Sequence, residues 1–205
     1  PMSQLGYLAY DADNHLYEAE DAFTRHLDRK LQRQFQFVEV KGRKKLMICG
    51  HVSDYIPNPT FSVVARPGAS NEWYRGKNPE GKSLREMFGE PEVCRDEYRN
   101  RDARLKRMDE QGLGASLMFP TLASAVEQRM QGDANVLHSV IHSFNQWLEE
   151  EWGFHYQDRI FTIPVVTPMD GERGCAELEW GLEHGARGVL VRPAPVPGYK
   201  HSRSP

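Results

Sequence analysis

The sequence predicts an α/β fold of parallel strands joined by helical crossovers, and three observations lead there. Short apolar runs, closed by Pro or by acidic residues, recur near residues 7–13, 114–119, 160–166 and 188–192. Amphipathic or charged helical stretches separate the later ones. Strands alternating with helices in this order run parallel and bury both faces. Four such strands in 205 residues make half of an eight-stranded barrel, which needs about 250 residues or more. The expected architecture is therefore a (β/α)8 barrel of the TIM type, truncated to about its first four β/α units. It forms a single domain over residues 1–205, with an N-terminal β-hairpin insertion and a long loop over about residues 30–82.

Each element has a local reason. Residues 7–13 read as a strand that ends in Asp11 and Asp13. A helical turn over 20–29 follows, where Asp21 is placed to cap and Phe23 and Leu27 share a face. Residues 35–40 and 45–49 are extended runs, and Gly42, Arg43 and Lys44 between them suggest a hairpin. Residues 53–82 are rich in Pro, Gly and Asn and read as a long, irregular loop. A charged helix spans 95–111, with Tyr98, Leu105 and Met108 on one side and Gly112 as its stop. Its mixed charges predict a solvated face. Asp133 caps the clearest helix, whose Leu137, Ile141, Phe144, Leu148 and Trp152 form one apolar stripe. A helix over 172–184 ends at Gly185, and residues 194–205 read as a loop toward a fifth unit.

Composition excludes several classes of function. A formal net charge of -3 provides no basic field for nucleic acid or for a membrane surface. No apolar run reaches the length of a membrane span, and the N-terminus lacks the order of a signal peptide. Cys49, Cys94 and Cys175 are far apart and odd in number, which predicts no disulfide framework and a cytoplasmic location. The glycines take no phosphate-loop spacing, and no G-x-S-x-G elbow is present.

The residues most suited to chemistry are Asp11, Asp13 and His15, spaced two apart at the end of the first strand. Alternation along a strand puts them on one face. Carboxylate and imidazole aimed together suit Zn²⁺ or a similar divalent ion, at the strand ends where barrels build their sites. The competing reading is a helix cap or turn. His138 and His142 stand four apart on the striped helix, but residue 139 is Ser where a helical zinc motif has Glu. They read instead as a solvated or hydrogen-bonded flank. Arg192, at the end of the last strand, is a candidate for binding a substrate carboxylate, against a structural salt bridge at the barrel rim.

Several stretches, in order, resemble the amidohydrolase-related family, also called amidohydrolase 2. They are Asp11-Ala12-Asp13-Asn14-His15 followed by Leu-Tyr-Glu; residues 107–112 leading into Leu117-Met118-Phe119-Pro120-Thr121; Phe144-Asn145-Gln146-Trp147-Leu148; Asp158-Arg159-Ile160-Phe161 leading to Pro164; and Gly185-Ala186-Arg187-Gly188-Val189 with Arg192-Pro193. That family includes aminocarboxymuconate-semialdehyde decarboxylase, hydroxybenzoate-type decarboxylases and hydrolases. The resemblance implies a distorted barrel that binds a divalent metal, zinc or alternatively manganese, through Asp13 and His15. Asp at the first of these positions departs from the more usual Glu or His. Asp11 matches a frequent acidic residue of the same opening. The family's further metal-binding and catalytic residues would fall beyond Pro205. The implied activity is hydrolysis or non-oxidative decarboxylation of a small, carboxylate-bearing substrate, with this chain inactive alone. The alternative is a non-catalytic fragment that self-associates as a homo-oligomer or needs a partner to complete the barrel.

Overall fold

A parallel sheet lies at the centre of the computed structural model, which describes residues 6–196. Its strands are β1 (Ala9–His15), β7 (Leu113–Phe119) and β8 (Ile160–Thr162), in the order β1-β7-β8. A parallel bridge from Val165 to Leu190 extends it. Between β1 and β7 come β2 (Phe35–Val40), β3 (Arg43–Ile48), β4 (His51–Ser53), β5 (Val63–Val64), α1 (Asn71–Tyr74), α2 (Leu84–Phe88), β6 (Glu92–Val93) and α3 (Arg101–Gln111). After β7 come α4 (Ala123–Met130) and α5 (Ala134–Trp152), and α6 (Gly171–Glu183) follows β8.

The register shows why the sheet has two different faces. Ser116 pairs with Ile160 and Met118 with Thr162, and all four side chains are buried. Leu117 pairs with Phe161, and with Phe119 these form a half-buried opposite face. Packed on the sheet, α5 buries Leu137, Ile141, Phe144, Leu148 and Trp152, the stripe expected from spacing. Burial of each such side chain stabilises the fold by about 1.5–3 kcal/mol. Asp133 accepts a hydrogen bond from the Val136 N–H and so caps α5 as predicted.

The expected hairpin is a three-stranded meander. Lys41 and Gly42, both with positive φ, turn β2 into β3; Cys49 and Gly50 turn β3 into β4 in the same way. The first turn thus falls before Arg43, not at Arg43 and Lys44. Phe35, Leu46 and Ile48 seat the meander in the common core, with Phe23 stacked between Phe35 and Phe144 at 4.3 and 4.9 Å. The three cysteines are free.

Other expectations need correction. Residues 20–29 form the expected turn and not a longer helix: the bonds Ala22→Ala19, Thr24→Asp21 and Leu27→Thr24 span three residues and Arg25→Asp21 four, while the Asp21 side chain holds Arg25 instead of capping. So short a stretch cannot support a helix nucleus alone, and Phe23 and Leu27 are held by the core instead. The charged helix begins at Arg101, after a separate turn at 96–98 that contains Tyr98. Its face is not wholly solvated, because Arg104 is buried beside the Tyr98 ring. The strands expected over 160–166 and 188–192 shrink to β8 and the Val165–Leu190 bridge. No expectation covered α4, whose N-cap residue, Leu122, offers no capping side chain. The tail beyond residue 196 lies outside the described residues.

Candidate metal centre

The C-terminal end of β1 meets that of β7, with His15 opposite Phe119. Open parallel sheets bind ligands outside the carboxyl ends of their strands. The pairing of β1 is irregular: Asp11 is opposite Ser116, and Asn14 is opposite Met118, so three steps on β1 match two on β7. This bulge breaks the alternation that would have put three side chains together. Asp11 is turned into local bonds, accepting from the Asp13 N–H at 3.1 Å and from Asn14 Nδ2 at 2.9 Å. Its charge also supports the buried Arg104 guanidinium, which burial holds below its ordinary value. Arg104 in turn reaches the His15 carbonyl at 3.4 Å.

Asp13, within the bulge, and His15, beyond it, do come together. Asp13 Oδ1 lies 3.7 Å from His15 Nε2, with the carboxylate fully open and the imidazole half exposed. Two donors about 2.1 Å from one tetrahedral centre would be about 3.4 Å apart, so the pair fits two positions of a divalent ion's shell. A zinc site takes three or more protein ligands, and among the described residues no three His, Cys, Asp or Glu side chains converge in this way. The donor chemistry fits; the number of ligands is incomplete.

Two residues behind this pair had no assigned role in the sequence reading. Glu18 is fully buried three residues past His15. Its Oε1 accepts from the backbone N–H groups of Thr121, Leu122 and Ala123 at 2.9, 2.7 and 3.1 Å. These are the free donors at the start of α4, so Glu18 supplies from β1's side the cap that Leu122 lacks. Burial pushes its carboxyl up to about 7 against the pull of those three N–H groups, and its Oε2 has no partner. Thr121, held by Glu18, donates its hydroxyl proton to the Leu16 carbonyl at 2.8 Å and lies 3.4 Å from His15 Nδ1. The only sequence signal for this arrangement was an acid among apolar neighbours with no local partner.

The other candidates lie elsewhere. His138 is buried, and its Nε2 accepts from the Asp170 N–H at 3.1 Å. His142 pairs with Glu177 at 2.9 Å, and Glu177 also accepts from Asn145 at 2.7 Å. Both histidines line a groove of about 510 Å³ between α5 and α6, with Arg173 and Trp180. The hydrogen-bonded reading of this flank holds, although His138 is not solvated. Arg192 is half-buried just past the Leu190 bridge. Its charge acts on buried Glu127 of α4, which accepts from Thr167 at 2.9 Å.

With this geometry, the chain superposes on the crystal structure of an amidohydrolase from Mycobacterium avium subsp. paratuberculosis at a TM-score of 0.87 and 41% identity. The chain is similar to an amidohydrolase. The alignment covers 94% of this chain and 50% of that one, so the chain spans about half the length of the structure it matches. It matches no protein-family model and no curated protein. The α/β fold with a parallel sheet and helices is thus shared with an amidohydrolase. No helix among the described residues is long and apolar enough to cross a membrane.

Proposed function

We propose that this chain supplies the first two ligands of a metal-dependent amidohydrolase-type centre, with Asp13 and His15 holding a divalent ion, zinc or manganese. The observation that carries the reading is the facing of Asp13 Oδ1 and His15 Nε2, 3.7 Å apart, at the carboxyl edge of a parallel sheet. When bound, such an ion lowers the pKa of a water or orients a substrate carboxylate. The chain's own part is to present the two donors on a strand end fixed by Arg104 and by the Thr121 contact. Arg192, half-buried past the last bridge, is the cation proposed for a small carboxylate-bearing substrate. The class of reaction is hydrolysis or decarboxylation, completed by ligands that this pair does not include.

Elemental analysis of purified chain after zinc or manganese loading tests the reading, with His15→Ala and Asp13→Ala as controls. About one ion per chain, lost in both variants, is the expected result. Absence of metal, or equal metal in the variants, overturns it.

A second reading rests on the sheet's open side. β1 is an end strand of the sheet; Tyr10 on it and Leu8 just before it are 72% and 62% exposed beside Gly114, and the Leu117–Phe161 face is only half covered. Such an edge and face favour pairing with another chain. On this reading the chain is a non-catalytic piece that self-associates or takes a partner. Sedimentation equilibrium decides between its two forms: a rise in mass with concentration, abolished by Leu8→Lys, supports self-association, and a concentration-independent monomer ends it.

A further inference from the structure

We propose that Thr121 is a positioning residue that fixes His15 in its Nδ1–H tautomer, leaving the Nε2 lone pair facing Asp13. The inference rests on the metal reading above for its purpose, but its geometry is independent of any ion.

A threonine hydroxyl carries one proton and two lone pairs, and a backbone carbonyl only accepts. Thr121 Oγ1 lies 2.8 Å from the Leu16 carbonyl and 3.4 Å from His15 Nδ1. The shorter contact takes the hydroxyl proton, so the oxygen can only accept from the imidazole. Nδ1 must therefore carry the hydrogen. In a neutral ring Nε2 is then unprotonated, and Nε2 is the atom 3.7 Å from Asp13 Oδ1. The 3.7 Å between these two acceptors leaves room for a cation. Metal-binding histidines show the same logic: the second nitrogen donates to a fixed oxygen, which sets the tautomer and the ring angle.

The oxygen that accepts here is fixed in turn. The Thr121 N–H is the first of three backbone donors on the buried Oε1 of Glu18, and Leu16 and Glu18 belong to the same short run after β1. His15, Leu16, Glu18 and Thr121 thus tie the end of β1 to the start of α4 through three contacts. Rotation of the Thr121 hydroxyl toward His15 would break the 2.8 Å bond.

The test is read on the full, metal-free chain. Long-range ¹⁵N–¹H spectra of uniformly labelled protein, at a pH where imidazoles are neutral, distinguish the protonated ring nitrogen from the bare one. His15 is assigned by its absence in His15→Gln. The expected wild-type signature is Nδ1–H. Thr121→Val should move His15 predominantly to Nε2–H while the other histidine signals stay in place, and Thr121→Ser should restore the wild-type form. Zinc affinity should fall about 10- to 100-fold in Thr121→Val and recover in Thr121→Ser. An Nε2–H wild type overturns the proposal, as does an unchanged tautomer in Thr121→Val. If Val prevents folding, Thr121→Ala takes its place with the same two outcomes. Failure of metal loading with an Nδ1–H wild type would sink the metal reading alone.

Discussion

One oxygen of the Glu18 carboxyl is shared by three backbone donors, and the other has none. The three bonds favour the charged form and burial opposes it; burial wins, and the group titrates at about 7 in the fold against 4.5 unfolded. The folded state then binds this proton more tightly than the unfolded state. Its contribution to stability is full below about 4.5 and is lost as pH rises through about 7. The size is about 3 kcal/mol. Glu18→Gln keeps the acceptor and removes the titration, so urea midpoints of wild type and variant should diverge across that window; parallel curves would refute the argument. Burial holds His138 below the ordinary imidazole value, and the Glu177 bond lifts His142 above it. The stability that His138 contributes is therefore lost as pH falls through its folded value, and that of His142 as pH rises through its own. An NMR titration should show His138 titrating before His142 from the acid side, with the upward displacement of His142 lost in Glu177→Gln. At this scale the approach of Asp13 to His15 was legible from their spacing of two, even though Asp13 sits in the bulge. That Asp11 turns into local bonds instead of joining them was not legible, because a bulge is a property of the pairing with β7, which a single strand's sequence does not display.

The elements divide by where their stop and start signals reside. For α5, α6 and α3 the cap lies next to the helix: Asp133, Asp170 and Asn100 each accept from the first turn. These helices were legible apart from the start of α3. Asp133→Ala should cost about 1 kcal/mol in thermal or chemical denaturation, and Phe144→Ala, which empties the stack with Phe23, about 3–5 kcal/mol. Equal stability of Phe144→Ala and wild type would show that the stripe is not the core. The cap of α4 instead comes from Glu18, about a hundred residues upstream, so no local pattern could announce that helix. In the same way the fourth strand survives as the Val165–Leu190 bridge because its length depends on neighbours, not on its own apolar run.

For the whole molecule, the alternation of apolar runs and helices was enough to indicate a parallel α/β sheet, and the order β1-β7-β8 agrees with it. The depth of the excursion between β1 and β7 was less legible. The meander shares the main core through Phe35, Leu46 and Ile48, whereas the stretch from β5 to β6 contributes only short, mostly exposed elements. Hydrogen exchange should rank them accordingly, with α5 and β7 amides slowest and residues 66–90 fastest. Slow exchange across 66–90 would mean that this segment is held by contacts the isolated chain does not make.

The pairing of β1 with β7 also has a kinetic side. Ala9 bonds across to Leu113 and His15 to Phe119, so the ladder closes a loop of about a hundred residues. The meander closes over two-residue turns. Long-range closure costs more chain entropy and is rewarded late. Leu16→Ala, at the end of β1, should hasten unfolding and leave the refolding rate almost unchanged, whereas Phe144→Ala should slow refolding. With those rates β1 would dock last, and a chain caught one step short of native would possess its hydrophobic core while Asp13 and His15 still lay apart from β7.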